Sequence, residues 1–367
     1  MSGGVRTGRA VVLNGPDRLA LTELDVPPPP PGGVVARVEF GGVCGSDAHM
    51  LKGEFPLPFA IVLGHEGVGV LEDLDVAVTH DHAGIPVARG DRVYWCPIAP
   101  CHHCWHCTVE KDFSCCTNAT WFGPTDEPTW GSYADYVTLS RDTAFYRIPD
   151  GVPSEAVIAF GCALPAVLQG LERAGGIKAM QSVVVQGCGP IGLAAVLMAK
   201  LSGARSIVAI DASPLRLDFA RRFGATTILD LAATSIEDRT QAVAAATDGR
   251  GADMVIEGTG HRSAFAEGVR LCARNGTYLL IGLWASQGEQ PFDPSVVVQK
   301  SMRIVGTQYA QARHYHDAMQ VAARHHADVP LADLITHRCA LEEARQAIDL
   351  VTSGRAGKVV IAPARRA

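Results

Sequence analysis

The stretch CPIAPCHHCWHCTVEKDFSCC, residues 96–116, holds six of the chain's eleven cysteines. Thiols so crowded form disulfides, bind a metal or carry redox chemistry. Within the stretch, Cys101, Cys104, Cys107 and Cys115 make a C-x2-C-x2-C-x7-C array. Four thiolates surround zinc tetrahedrally and leave no coordination place for a substrate, so a site of this kind holds a loop in shape. The spacing alone does not exclude an iron–sulfur cluster. Cys96 and Cys116 fall outside the array and read as bystanders, and His102, His103 and His106 read as exposed loop residues.

A second set of donors is scattered. GGVCGSDAH carries Cys44, Ser46, Asp47 and His49, VLGHEGVG carries His65 and Glu66, and AFGCALPAV carries Cys162. Cys, His and Cys are three good zinc ligands, and a three-ligand site keeps a place for a substrate oxygen. Glu66 stands either behind the metal or as an occasional fourth ligand. Asp47 is suited to hold the His65 ring through its other nitrogen, fixing the tautomer that binds metal. Taken singly, Cys44 and Cys162 would read as small core residues.

The third constellation is VVVQGCGPIG, which supplies Gly187, Gly189 and Gly192 at the G-x-G-x-x-G spacing after an apolar run and before a helix-like one. That context is the dinucleotide fingerprint. Gly187 permits the tight turn, Gly189 lets backbone amides approach a pyrophosphate, and Gly192 lets helix and strand pack closely. The helix that opens at Pro190 offers unpaired N–H groups to phosphate. Asp211 ends the next apolar run, SIVAID, where a carboxylate accepts bonds from ribose hydroxyls and repels a 2′-phosphate. NAD is therefore favoured over NADP, and Arg216 nearby softens that preference.

These residues need elements to hold them. Residues 1–164 show short apolar runs bounded by Gly and Pro, a pattern of short strands and long loops. Residues 165–306 alternate apolar strands with helical segments, as in a doubly wound parallel sheet covered on both faces. Residues 307–367 close with GKVVIAP and are expected to return to the first domain. VPPPPPGG (26–33) reads as a stiff polyproline connector.

Composition narrows the field. A formal net charge of −6 in 367 residues gives no support to a nucleic-acid or anionic-membrane partner. No apolar run reaches the ~20 residues that cross a bilayer. MSGGVRTGRAVVLNG lacks the apolar centre of a secretory signal, so a cytoplasmic setting is expected, where clustered cysteines read as metal-binding before disulfide-bonded.

Taken in order, CGSDAH, GHEGVG, GDRV, the cysteine array, GCGPIG with Asp211, and SGRAGKVV resemble the zinc-dependent medium-chain alcohol dehydrogenases over nearly the whole chain. The resemblance implies a GroES-like β-rich catalytic domain wrapped before and after a Rossmann domain. It implies a catalytic zinc on Cys44, His65 and Cys162 with Glu66 able to approach it, and a structural zinc on Cys101, Cys104, Cys107 and Cys115. Ser46 and His49 resemble the proton-relay pair, Ile191 would back the nicotinamide, and Lys358 would approach the pyrophosphate. Phe55, Trp121 and Leu283 fall at positions that line the family's substrate pocket, with Trp130 and Trp284 as weaker candidates. Large apolar walls favour a hydrophobic, cyclic or secondary alcohol over a polyol. A homodimer or homotetramer is the family expectation. Two departures stand out: Gly45 where some members carry a phosphate-binding arginine, and Asp75 where Gly or Ala is usual, followed by a loop longer than typical. A polyol dehydrogenase of the same family and a non-enzymatic zinc protein are the alternatives.

Overall fold

Branched side chains pack well on a pleated surface, and VVARVEFGG accordingly forms the strand Val34–Gly42. The computed structural model describes residues 6–55, 60–120, 131–285 and 287–363. Val34–Gly42 lies inside a seven-stranded sheet whose neighbours run Ile335–Cys339, Lys358–Ile361, Val34–Gly42, Gly67–Leu74, Arg92–Trp95 and Phe145–Arg147. Tyr136–Leu139 also pairs with Val34–Gly42, and all pairings are antiparallel except that of Ile335–Cys339 with Lys358–Ile361. Val34, Val38, Leu71, Val93, Trp95 and Leu139 make the buried face of this sheet.

A smaller sheet joins Leu19–Val26, Arg6–Leu13 and Ile61–Val62. Val11, Leu13, Ile61, Leu63 and Tyr133 form a second cluster with residues of the helices Gly45–Leu51 and Ala344–Thr352. All of this belongs to one compact unit, Met1–Cys162 with Ala310–Ala367, so the chain leaves the unit and comes back to it. The divisions fall at 162/163 and 309/310, beside the expected 164/165 and 306/307.

Asp75 and the long loop after it have local explanations. Asp75 Oδ1 accepts hydrogen bonds from Gly32 N (3.0 Å) and Ala77 N (3.1 Å), tying the proline connector to the turn that follows Gly67–Leu74. In the long loop, buried Asp81 accepts from the amides of Ala83, Ile85 and Arg147, so the loop is organised around one carboxylate.

The second unit, Ala163–Tyr309, contains a six-stranded parallel sheet. Its order is Thr227–Asp230, Ser206–Asp211, Ser182–Gln186, Ala252–Glu257, Cys272–Leu280, Arg303–Gly306. That is the doubly wound order, with its reversal between Ser182–Gln186 and Ala252–Glu257. SVVVQ and SIVAID are buried along their whole length, as a sheet covered on both faces requires. Helices Pro190–Leu201 and Pro214–Phe223 each carry proline in the first turn, and Ile236–Ala246 is started by a Ser235/Asp238 capping box. One segment departs from the sequence reading. SAFAEGVRLCARNG is helical in pattern, yet the helix stops at Leu271 and the strand begins at Cys272. Asn275, in the left-handed region at φ 59°, and a register shift against Ala252–Glu257 accommodate the early start.

Candidate active site

Cys44 follows the strand Val34–Gly42 and caps the helix Gly45–Leu51. Its amide donates to Asp47 Oδ2 at 2.8 Å, the local bond expected of a carboxylate three residues into a helix. His65 and Glu66 sit in the turn between Ile61–Val62 and Gly67–Leu74, and Cys162 closes the first unit. These four residues, 118 positions apart at the extremes, each offer one donor atom, and the four atoms lie within 4.8 Å of one another. The Cys44 and Cys162 Sγ atoms are 3.7 Å apart, and Ser46 Oγ is 3.4 Å from His65 Nε2.

The charges around the cluster are set by burial and pairing. Sharing a proton with Cys162 pulls the Cys44 thiol well below its ordinary value, and the same contact pushes Cys162 up. Burial opposes the charged form of His65, but Asp47 and Cys44 outweigh it and hold the imidazole well above its ordinary value. Asp47 Oδ1 lies 3.3 Å from His65 Nδ1. Two thiols, an imidazole and a carboxylate are a donor set that fits zinc.

Glu66 is fully buried, and a buried carboxylate demands partners. Cys162 N donates to Oε1 at 3.0 Å, and the Lys358 ammonium donates to Oε2 and, at 3.1 Å, to the carbonyl of Val43. Lys358, expected at the pyrophosphate, is 1% exposed and pairs with Glu66 within the first unit.

His49 lies one turn after Ser46 on the same short helix, so the two share a face. Its Nδ1 meets the carboxylate of Glu54, a partner that nothing in the sequence pattern singled out. Phe55 is partly buried against the second apolar cluster and stands edge-on to the His49 ring at 6.3 Å between centroids. Leu283 belongs to the second unit, where its backbone crowds Gly260, and Trp284 packs edge-on to Phe265 at 6.2 Å. Trp121 and Trp130 lie outside the described residues.

In the cysteine loop the structure corrects the fourth position. Cys101, Cys104, Cys107 and Cys116, not Cys115, bring their sulfurs within 4.8 Å of one another. Cys116 Sγ is 3.5 Å from that of Cys101 and 3.8 Å from that of Cys104, whereas Cys115 is exposed. Between Cys104 and Cys116 the chain makes a π-turn at His106–Glu110, ending at left-handed Lys111 (φ 61°), and then a 3-10 turn at Phe113–Cys115. The Cys107 amide is the largest influence on the Cys104 thiol and brings it down to about 6, while burial pushes Cys107 up to about 12.

In the second unit Gly187 occupies the left-handed region (φ 83°), and a Cβ on Gly192 would stand 1.7 Å from the Gly187 carbonyl, so both positions require glycine. A Cβ on Gly189 would meet nothing within 4 Å. Pro190 and Ile191 open the helix, and Asp211, at the end of its strand, accepts from Cys188 N (2.6 Å) and Ser213 N (2.7 Å). Arg216 lies in the first turn of the following helix, Pro214–Phe223. The glycine turn thus sits at the carboxyl edge of the sheet beside its reversal, the position where such sheets bind ligands.

The comparisons with known proteins agree with this geometry. Residues 30–150 match the alcohol dehydrogenase GroES-like domain, and residues 190–324 match the zinc-binding dehydrogenase family. The chain is 48% identical over 354 residues to 5-exo-hydroxycamphor dehydrogenase of Pseudomonas putida, covering 96% of this chain and 98% of that protein. It is 30% identical to erythritol/L-threitol dehydrogenase of Mycolicibacterium smegmatis, over 97% and 98% of the two chains. The crystal structure of an alcohol dehydrogenase from Thermotoga maritima superposes with a TM-score of 0.91 at 31% identity, over 98% and 100% of the two chains. The chain belongs to the zinc-dependent medium-chain alcohol dehydrogenases, and it is an oxidoreductase acting on CH–OH groups.

Proposed function

We propose that the protein oxidises a hydrophobic, cyclic secondary alcohol of the hydroxycamphor kind to its ketone, reversibly and with NAD as the acceptor. The observation that carries the reading is the convergence of Cys44, His65, Glu66 and Cys162, whose donor atoms fall within 4.8 Å. The substrate class is supported by the 48% identity to a dehydrogenase of a bicyclic secondary alcohol, and NAD by the Asp211 carboxylate. Cys44, His65 and Cys162 would hold the catalytic zinc, with Cys101, Cys104, Cys107 and Cys116 holding a structural one. When bound, the zinc supplies Lewis acidity toward a hydroxyl and the nicotinamide supplies the hydride acceptor.

The chain's own residues do the rest. Asp47 fixes the His65 ring, and Lys358 with the Cys162 amide gives both oxygens of the buried Glu66 carboxylate a partner. Ser46 Oγ would accept the proton of the substrate hydroxyl while passing its own hydroxyl proton on through the cofactor ribose to His49, which is partly exposed, backed by Glu54 and able to release it to solvent. Thiol-based metal sites persist where thiols stay reduced, which supports a cytoplasmic setting. Among the described residues no helix is long and apolar enough to cross a membrane. Self-association into a dimer or tetramer belongs to the same reading, and light scattering of the purified protein measures it.

The deciding experiment is NAD and NADP reduction across bicyclic, monocyclic and acyclic secondary alcohols, primary alcohols and polyols, with zinc quantified in the same preparation. The expected result is the highest kcat/KM on a bicyclic secondary alcohol with NAD. A preference for four- or five-carbon polyols would replace this reading with the polyol one.

A further inference from the structure

We propose that Tyr133 is a positioning residue for the catalytic metal site: its hydroxyl fixes the Asp47 carboxylate so that the remaining oxygen is presented to His65. The inference rests on the proposed use of Cys44, His65 and Cys162 as zinc ligands.

Three observations carry it. The first is the division of labour on Asp47, which is fully buried. Oδ2 accepts two bonds, from Cys44 N at 2.8 Å and from the Tyr133 hydroxyl at 2.7 Å. Oδ1 makes no hydrogen bond among the described residues and lies 3.3 Å from His65 Nδ1. A carboxylate with two donors on one oxygen cannot turn about its terminal torsion without breaking both, so Oδ1 is held toward the imidazole. The terminal torsion is otherwise broad, and a second donor is what narrows it.

The second observation is where Tyr133 is anchored. It is 0% exposed, its amide donates to Leu63 O (2.9 Å) and its carbonyl accepts from Val11 N (2.8 Å). Ser132 N donates to Gly64 O at 2.9 Å. The residue is therefore bonded by its backbone to the segment that delivers His65 and by its side chain to the helix start that delivers Cys44. The third is the fit between ring and chain. A Cβ on Gly64 (φ 91°) would stand 2.4 Å from the Tyr133 ring, so the ring lies directly on the backbone preceding His65. One side chain thus sets the distance between two ligand-bearing segments and the orientation of the carboxylate that serves both. Phenylalanine would preserve the packing and delete only the orientation.

The test uses the intact zinc-loaded protein and follows zinc release to an excess of a chromophoric chelator, in which the cysteine-loop zinc serves as the internal control. Tyr133→Phe should release the catalytic zinc about 10-fold faster, the lower end of what loss of an outer partner of a metal ligand costs, and leave the loop zinc at its wild-type rate. Cobalt substituted at the catalytic site should show altered visible bands in the variant. In an Asp47→Asn background the tyrosine substitution should add nothing further. Placing 4-aminophenylalanine at 133, which restores a donor, should return release to near the wild-type rate, and this variant also serves if Tyr133→Phe folds poorly.

Wild-type release from Tyr133→Phe, acceleration of both zincs equally, or full additivity with Asp47→Asn would each overturn the proposal. Failure of the amino variant to restore retention would overturn it as well. A wild-type protein that holds only one zinc equivalent, in the cysteine loop, would instead remove the proposed function on which it rests.

Discussion

The molecule carries two sulfur-rich donor clusters that are built in opposite ways. The cysteine-loop cluster draws its four thiols from sixteen consecutive positions, 101–116, and shapes itself with local backbone contacts: the Cys107 amide at Cys104, the Cys101 amide at Cys116, a π-turn between. The Cys44, His65, Glu66 and Cys162 cluster is assembled from three distant segments, and two of its donors are faced by buried side chains from elsewhere in the chain: His65 by Asp47, itself held by Tyr133, and Glu66 by Lys358. A site that only holds a loop can be local and half-exposed. A site that must keep a coordination place for a substrate needs its orientation imposed from outside, because the ligands themselves do not saturate the metal.

That contrast can be broken or sharpened by substitution. The largest effect is expected from Cys44→Ala, which should abolish turnover and lose one zinc equivalent while NAD still binds and the loop zinc remains; undiminished NAD reduction would end the distinction. Next, Lys358→Met should destabilise the protein by about 3–5 kcal/mol, because it leaves Glu66 buried and unpaired. Lys358→Met/Glu66→Gln should recover much of that loss in chemical denaturation, and strict additivity would show that the pair is not the reason. In the loop, Cys116→Ala should release the structural zinc and lower the melting temperature by roughly 5–10 °C, whereas Cys115→Ala should change neither. The reverse ranking would restore the C-x2-C-x2-C-x7-C reading. The smallest effect is expected from Glu54→Gln: kcat falls about 10-fold with KM little changed, a part of what a positioned proton-transfer group contributes, and zinc content stays constant. An unchanged kcat would take Glu54 out of proton release.

The clusters also differ in how far they could be read from sequence. The parallel sheet was legible because SVVVQ and SIVAID are apolar end to end and the glycine spacing falls between strand and helix. The strand Cys272–Leu280 was partly hidden, since its first residues continue the helical pattern of the preceding segment and only a three-dimensional pairing with Ala252–Glu257 decides where one ends. Cys44, His65 and Cys162 were legible through their chemistry and flanking motifs. Cys116 was not, because residue types mark the adjacent Cys115 equally well and only the folded loop brings the Cys116 sulfur to the others. The partner of Lys358 was not legible either: the resemblance assigns this amine to a pyrophosphate, and only the fold shows the buried carboxylate 292 residues earlier that it pairs with. Tyr133 and Glu54 act through contacts that no local spacing encodes.

The strand Lys358–Ile361 sits one strand in from the edge of the first unit's sheet, between Ile335–Cys339 and Val34–Gly42. During synthesis the nucleotide-binding half is finished at Tyr309, while the half that emerges first must wait with Glu66 unneutralised until its last strand leaves the ribosome. The order of manufacture is thus the reverse of the order of completion.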